Sequence, residues 1–405
     1  MTIKLLSILF IGFILFSCSK DNNEEEAGSF SFLVEVQNVT DRSAIATWTK
    51  PKGSNISYQI FLNNELIEDN FSQTAYTFNG LAAETSYNGK ITATDGSQST
   101  SINFSFETKN FSPRTFKGDV YLQTQEDVNA FGENHYNIID GRFEIGTYGP
   151  MLNIVDLSPL YDLLKVTQYM KISNTVLKDL EGLNNLKEIG GYFQITHNDK
   201  LLNLNGLGNL EEIKSYLHIH RNPVLKNVDG LTRLNAVEGV SFFYNLELES
   251  VDFLNHTISG FYLTFDDNPS LKTISGFRNM KKLTSALIIN NNDSLLNIEG
   301  FNSMENIDAE LIIIGNDKLD VLNLQNLRTV NKSLSIGSND SLTSLEGLNN
   351  LINIKEGFDI SDNQLLSNFC AISQFVITQE FGSLYIENNL YNPTLQDFIN
   401  GNCSE

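Results

Sequence analysis

Nine asparagines stand in one column of this sequence. Aligning the apolar triplets FQI at 193, LHI at 217, VSF at 240, LTF at 263, LII at 287, LII at 311, LSI at 334, FDI at 358 and LYI at 384 exposes the column. Five residues after each triplet start come Asn198, Asn222, Asn245, Asn268, Asn292, Asn316, Asn339, Asn363 and Asn389. The step is 23 or 24 residues until the last, longer one. A period of this size means a solenoid, because one such unit cannot bury its own apolar face and must stack on its neighbours. Where the backbone turns out of each short strand, its amides and carbonyls would be buried without a partner, and a side-chain amide supplies both donors and an acceptor. The column predicts an internal ladder. Leu201, Leu225, Leu248, Leu271, Leu295, Leu319 and Leu342, three residues further on, are core positions followed by a glycine-aided turn. Two looser copies, FEI at 143 and MKI at 170, precede the array and include its N-terminal cap.

The repeat, written L-x-I-x-x-N-x-x-L-x-x-L-x-G-L-x-x-L-x-x-I, resembles the leucine-rich repeat class. It looks most like the receptor L-domain type of growth-factor receptor ectodomains and fungal wall proteins. The segment GDVYLQTQEDVNAF followed by YNIIDGRFEI is similar to the opening strand and capping helix of that family. The resemblance implies a right-handed solenoid with a parallel sheet over residues 117–405, and is nearly silent about ligand. Two departures are a missing cysteine-rich module and coils that run as one continuous array. Cys370 and Cys403, near the end of the solenoid, are expected to pair and pin the terminal coil. Such a loop of just over thirty residues adds roughly 3–4 kcal/mol in the chain-entropy model. Two free thiols at a metal or catalytic site are the alternative, but no histidine lies near them in sequence.

Residues 30–109 read differently, as short alternating runs such as AIATWT, SYQIFL and GKITAT between turn-rich segments. The stretch resembles a fibronectin type III domain through Trp48 in SAIATWTKP, the run from Leu81 to Tyr87, and the closing FSFET. Trp48 is then expected in the core, and Tyr87 at a corner with its hydroxyl bonded to backbone. No Arg-Gly-Asp occurs, so the resemblance implies a spacer or a weak binding module. The fold class expected for the whole chain is mainly β, a sandwich followed by a solenoid.

At the N-terminus, Lys4 precedes an apolar run from Leu5 to Phe16 that is shorter than the roughly 20 residues a membrane-spanning helix needs. Residues 1–17 are expected to be a signal peptide. Leu15-Phe16-Ser17-Cys18 resembles the lipobox of bacterial lipoproteins, which implies a lipid on Cys18. One acyl chain binds membranes marginally, whereas several, of palmitate type, hold durably. Residues 18–29 read as an acidic flexible tether. Acidity just after the lipidated cysteine resembles the surface-export signal of Bacteroidetes lipoproteins, which implies an outer-membrane protein facing the exterior. A net charge of −22 without a basic stripe makes nucleic acid a poor partner.

Because strand side chains alternate, three columns point away from the core: the residue before each triplet, its middle residue and the one after it. The first column reads Tyr169, Tyr192, Tyr216, Gly239 and Tyr262 before it changes to Ala286, Glu310 and Ser333. His218, Phe243, Ile288 and Ile312 stand in the other two. An aromatic strip beside an apolar patch suits stacking on sugar rings or anchoring an extracellular protein. The alternative is that the rings merely cover the sheet, as in a passive spacer of the cell envelope. His218 and His220 share a face without a third ligand in register, so no metal centre is expected. Asp199, Asp293, Asp317 and Asp340 each follow a ladder asparagine; calcium could bridge such a column, and solvated turns are the plainer reading, so no cofactor is expected. No phosphate loop, zinc motif or nucleophile elbow occurs. The chain is expected not to be an enzyme, a hydrolase being the remaining alternative.

Overall fold

Ala44, Ala46 and Trp48 alternate with half-exposed residues along one short strand, and that alternation builds the first of two units. The computed structural model describes residues 30–146, 153–255, 259–378, 380 and 382–405. The expected signal peptide, the tether and Cys18 lie outside the described residues. The chain divides at Ser112/Pro113.

In the first unit, Val34–Gln37, Ala44–Trp48 and Ala75–Phe78 form an antiparallel three-stranded sheet. A four-stranded sheet runs in the order Glu65–Phe71, Ser57–Leu62, Ser86–Thr94, Ser99–Glu107. The core between them holds Trp48 edge-on to Tyr58, ring centroids 5.3 Å apart, with Ile60, Phe78 and Ile91. Tyr87 sits at its expected corner, where its hydroxyl accepts the Ala82 N–H at 2.8 Å. Asn63 and Asn64, both at positive φ, make the two-residue turn that matches the twist of the strands it joins.

The second unit is a stack of coils. Twelve short strands, from Val120–Leu122 to Leu384–Glu387, pair in sequence order, every pairing parallel and every triplet in register with the next. The first and third residues of the triplets, such as Phe193 and Ile195, are buried up to the last coil, where Leu384 and Ile386 are half-buried, and two- or three-residue strands on another side of the coils close the core. Where most coils carry leucine, two middle ones carry Phe277 and Phe301, stacked at 5.6 Å, and Phe253 meets Phe277 edge-on at 5.5 Å. The helix Gln125–Gly132 covers the first coil, with Val128 buried and Thr124 and Asp127 closing a capping box at its start. At the other end, the helices Cys370–Thr378 and Leu395–Ile399 cover the last coils, and the Cys370–Cys403 disulfide ties them down with its Cα atoms 4.9 Å apart.

The asparagine column is the ladder that the spacing implies, and all nine are buried. Asn222 Oδ1 accepts both the backbone N–H and the Nδ2–H of Asn198, at 3.2 and 3.1 Å. Its Nδ2 donates to Asn245 Oδ1 and to the strand carbonyl of Ile195 in the coil before. The pattern recurs along the stack and is closed by residues outside the column. At the start, Thr175 donates from its N–H and hydroxyl to Asn198 Oδ1; at the end, Asn392 Oδ1 accepts both groups of Asn389. A second, outer amide series also joins coils: Asn185, Asn209, Asn279, Asn326 and Asn350 each donate to a carbonyl one coil earlier, at 2.6–2.8 Å.

Replacing Asn292 by alanine strands the Asn268 N–H and the Phe265 carbonyl inside the protein. Each such group costs about 1–3 kcal/mol, so a loss of roughly 3 kcal/mol or more is expected in urea unfolding. Alanine at the exposed neighbour Asp293 should change stability by less than about 0.5 kcal/mol.

Candidate functional site: the open sheet face

The three outward columns lie on the face of the twelve-stranded sheet opposite the core, and the tyrosines are half-buried against one another. Tyr169 and Tyr192 stack with centroids 4.6 Å apart and planes 7° from parallel. The Tyr169 hydroxyl donates to Glu144 Oε1 at 2.6 Å, and that bond, with burial second, pushes its pKa up to about 12. Arg142, held by Asp119, sits over the same ring at 5.9 Å. This end offers ring faces rather than a free hydroxyl.

Gly239 interrupts the tyrosine column, and the interruption has a geometric use. Tyr216 and Tyr262 are two coils apart, which at the usual strand spacing would separate them by about 9–10 Å; their centroids are 5.2 Å apart. Tyr262 leans over Gly239, where an added Cβ would lie 2.9 Å from its ring. Burial, with Tyr216 second, raises Tyr262 to about 12. Phe261, exposed beside Tyr262, extends the cluster at 6.1 Å from Tyr216.

His218 joins the two groups of tyrosines, 6.5 Å from Tyr192 and 6.0 Å from Tyr216. Its Nδ1 is enclosed without a hydrogen-bond partner among the described residues, as is Asn290 Oδ1 three coils on. His220 shares a hydrogen bond of 2.8 Å between Nε2 and Ser241 Oγ, and its ring continues the chain to Phe243 at 5.9 Å. Phe243 in turn meets Tyr244 at 4.3 Å. Burial pushes His220 down to about 4, helped by His218, Arg221 and His197; burial alone lowers His218. Ile288 and Ile312 pair directly across adjacent strands, with Ile314 beside them, as an apolar continuation of the strip.

Two features went unread in the sequence. The residue just before each ladder asparagine, and before Thr175 that opens the ladder, has positive φ, and the column runs Asn174, His197, Arg221, Tyr244, Asp267, Asn291, Gly315, Ser338, Asp362, Asn388. Its mostly Asn, Asp, Gly and Ser content was the available signal. Tyr244, Arg142 and Phe261 were missed because they stand outside, or before, the aligned tyrosine run. Asp199, Asp293 and Asp317 are exposed at their turns, and among the described residues no three acidic, histidine or cysteine side chains are grouped to hold a metal ion.

Residues 32–107 match the fibronectin type III domain family. The chain is therefore mainly β, an N-terminal fibronectin III sandwich followed by a parallel-sheet solenoid of about 11 turns with few helices. Among solved structures, one from a computer-based redesign of a β-sandwich protein is 24% identical, over 20% of this chain and 94% of that chain, with a TM-score of 0.18. No curated protein matches the chain.

A histidine whose folded pKa is depressed leaves the folded state with fewer protons than the unfolded one between the two values. Stability should accordingly fall as pH drops from about 6.5, the ordinary histidine value, toward the His220 value of about 4. Thermal melts across that window should show a shallower slope for His220→Gln than for the wild type; His218 and His197, shifted the same way, supply part of the remainder.

Proposed function

We propose that this chain is a non-enzymatic recognition or adhesion protein of the cell surface. It would belong to the leucine-rich-repeat, receptor L-domain kind, held at the outer membrane by lipid on Cys18 and facing outward. Its ligand is an extracellular protein or glycan, taken on the open sheet face. The observation that carries this reading is the unbroken run of rings from Tyr169 to Tyr244 across successive coils, each within 6.5 Å of the next. Rigid amphipathic rings of this kind give large contact area at low entropic cost.

One observation favours a passive spacer. Tyr169 and Tyr192 already cover each other, and the tip of Tyr169 is engaged by Glu144. The two readings part on a binding screen of the lipid-free protein against glycan and protein arrays. Recognition predicts a ligand whose binding falls at least tenfold when Tyr192, Tyr216 and Tyr262 are replaced together by serine, with the melting curve of the solenoid still cooperative. Ligands retained at full strength by that triple variant would support the spacer.

A further inference from the structure

Among the described residues, the positive-φ column from Asn174 to Asn388 is occupied by Asn, Asp, Gly or Ser in every coil but three. Those three are consecutive, and they carry His197, Arg221 and Tyr244 at φ of 56°, 54° and 55°. Bulky side chains in the left-handed region are strained, and such outliers gather at functional sites. The three side chains converge. The Arg221 guanidinium lies over the Tyr244 ring at 5.5 Å, and its Nη1 donates to His197 Nε2 at 3.4 Å. With Asp199, Pro223 and Leu246 they line a depression of about 300 Å³ at the rim of the sheet.

The arginine is set up unlike others of the solenoid. Arg142 and Arg278 pair with Asp119 and Asp252, and Arg233 bonds Asn209. Arg221 pairs with no carboxylate among the described residues; it is exposed and held in place by two rings. A guanidinium oriented by stacking, with most of its donor fork open, suits a carboxylate. Beside it, Tyr244 and Leu246, each exposed by 40% or more, offer apolar surface of the size of a sugar ring face. Asp199 at the rim accepts hydroxyl hydrogens and disfavours a densely charged ligand, as does the net charge of −22. The depression adjoins the aromatic strip through the Phe243–Tyr244 contact at 4.3 Å.

We infer that this rim depression is a subsite for an acidic sugar, its carboxylate on Arg221 and its ring against Tyr244, Pro223 and Leu246. The inference rests on the reading of the sheet face as a recognition surface and gives part of its ligand a chemistry. An acidic peptide, the other source of a carboxylate, lacks the hydroxyls that Asp199 would accept.

The test uses the column's own alternative residue. Asparagine occupies the same backbone position at Asn174, Asn291 and Asn388, so Arg221→Asn and Tyr244→Asn relieve strain rather than add it. Isothermal titration of the full chain should be made with an otherwise neutral trisaccharide carrying a single galacturonic acid unit and with the same trisaccharide reduced at that carboxyl group. The acid form is expected to bind at least tenfold tighter. Arg221→Asn should abolish that difference, Tyr244→Asn should weaken both forms, and both variants should melt at or above the wild-type temperature. Equal binding of the two probes, no binding of either, or undiminished preference in Arg221→Asn would overturn the subsite. So would tighter binding of a glutamate-rich peptide than of the acid sugar. Loss of a ligand in the triple tyrosine variant alone, with Arg221→Asn unaffected, would uphold recognition by the strip and reject the acidic-sugar subsite.

Discussion

The buried asparagine ladder is the interaction on which the rest of the solenoid depends. A coil must turn sharply out of its strand, and the turn points main-chain groups into an apolar interior where each unpaired one costs about 1–3 kcal/mol. Asparagine answers on three sides at once: it accepts from the coil before, donates to the coil after, and donates to a strand carbonyl. Aspartate would bring a charge and lose the donors, and leucine would leave both sides unpaired. The ladder also dictates its neighbour, since for the asparagine to point inward the preceding residue turns through the left-handed region in every coil. A structural requirement therefore creates a column of exposed side chains at the rim of the sheet, and most coils fill it with residues that tolerate the conformation.

Much of this was legible because it depends on residue identity at a fixed period. Nine asparagines in register announce a ladder whatever lies between them, and Trp48, Tyr87 and the Cys370–Cys403 pair took their expected places on similarly specific signals. The ends of the ladder were harder, because Thr175 and Asn392 do the same chemistry without matching the column. The outer amide series hid for a related reason: Arg233 stands at one of its positions and bonds Asn209 by a different geometry. The binding face was readable as columns but not as contacts. That Gly239 lets Tyr262 reach Tyr216 follows from the missing Cβ and the lean of a ring, which alternation alone does not reveal.

The same architecture separates stability from recognition. Core leucines and the neutral ladder hold the coils at strand spacing, so the outward columns can vary without disturbing the stack. They do vary, from tyrosine and histidine in the early coils to isoleucine at 288 and 312 and then to small and acidic residues. His220 shows the consequence of crowding polar rings on such a face, being held neutral by burial far below its ordinary pKa. At the rim, His197, Arg221 and Tyr244 break the column's preference together, which is where strain is most easily connected with a ligand.

The most direct measurement of the central claim is residue-resolved hydrogen exchange on the intact protein. If the ladder holds the stack, the backbone N–H groups of Asn222, Asn245, Asn268, Asn292 and Asn316 exchange only through large-scale opening, as slowly as the central strand amides Ile289 and Ile313. Exchange of those asparagine amides at the rate of exposed turn residues such as Asp293 and Lys318 would contradict it.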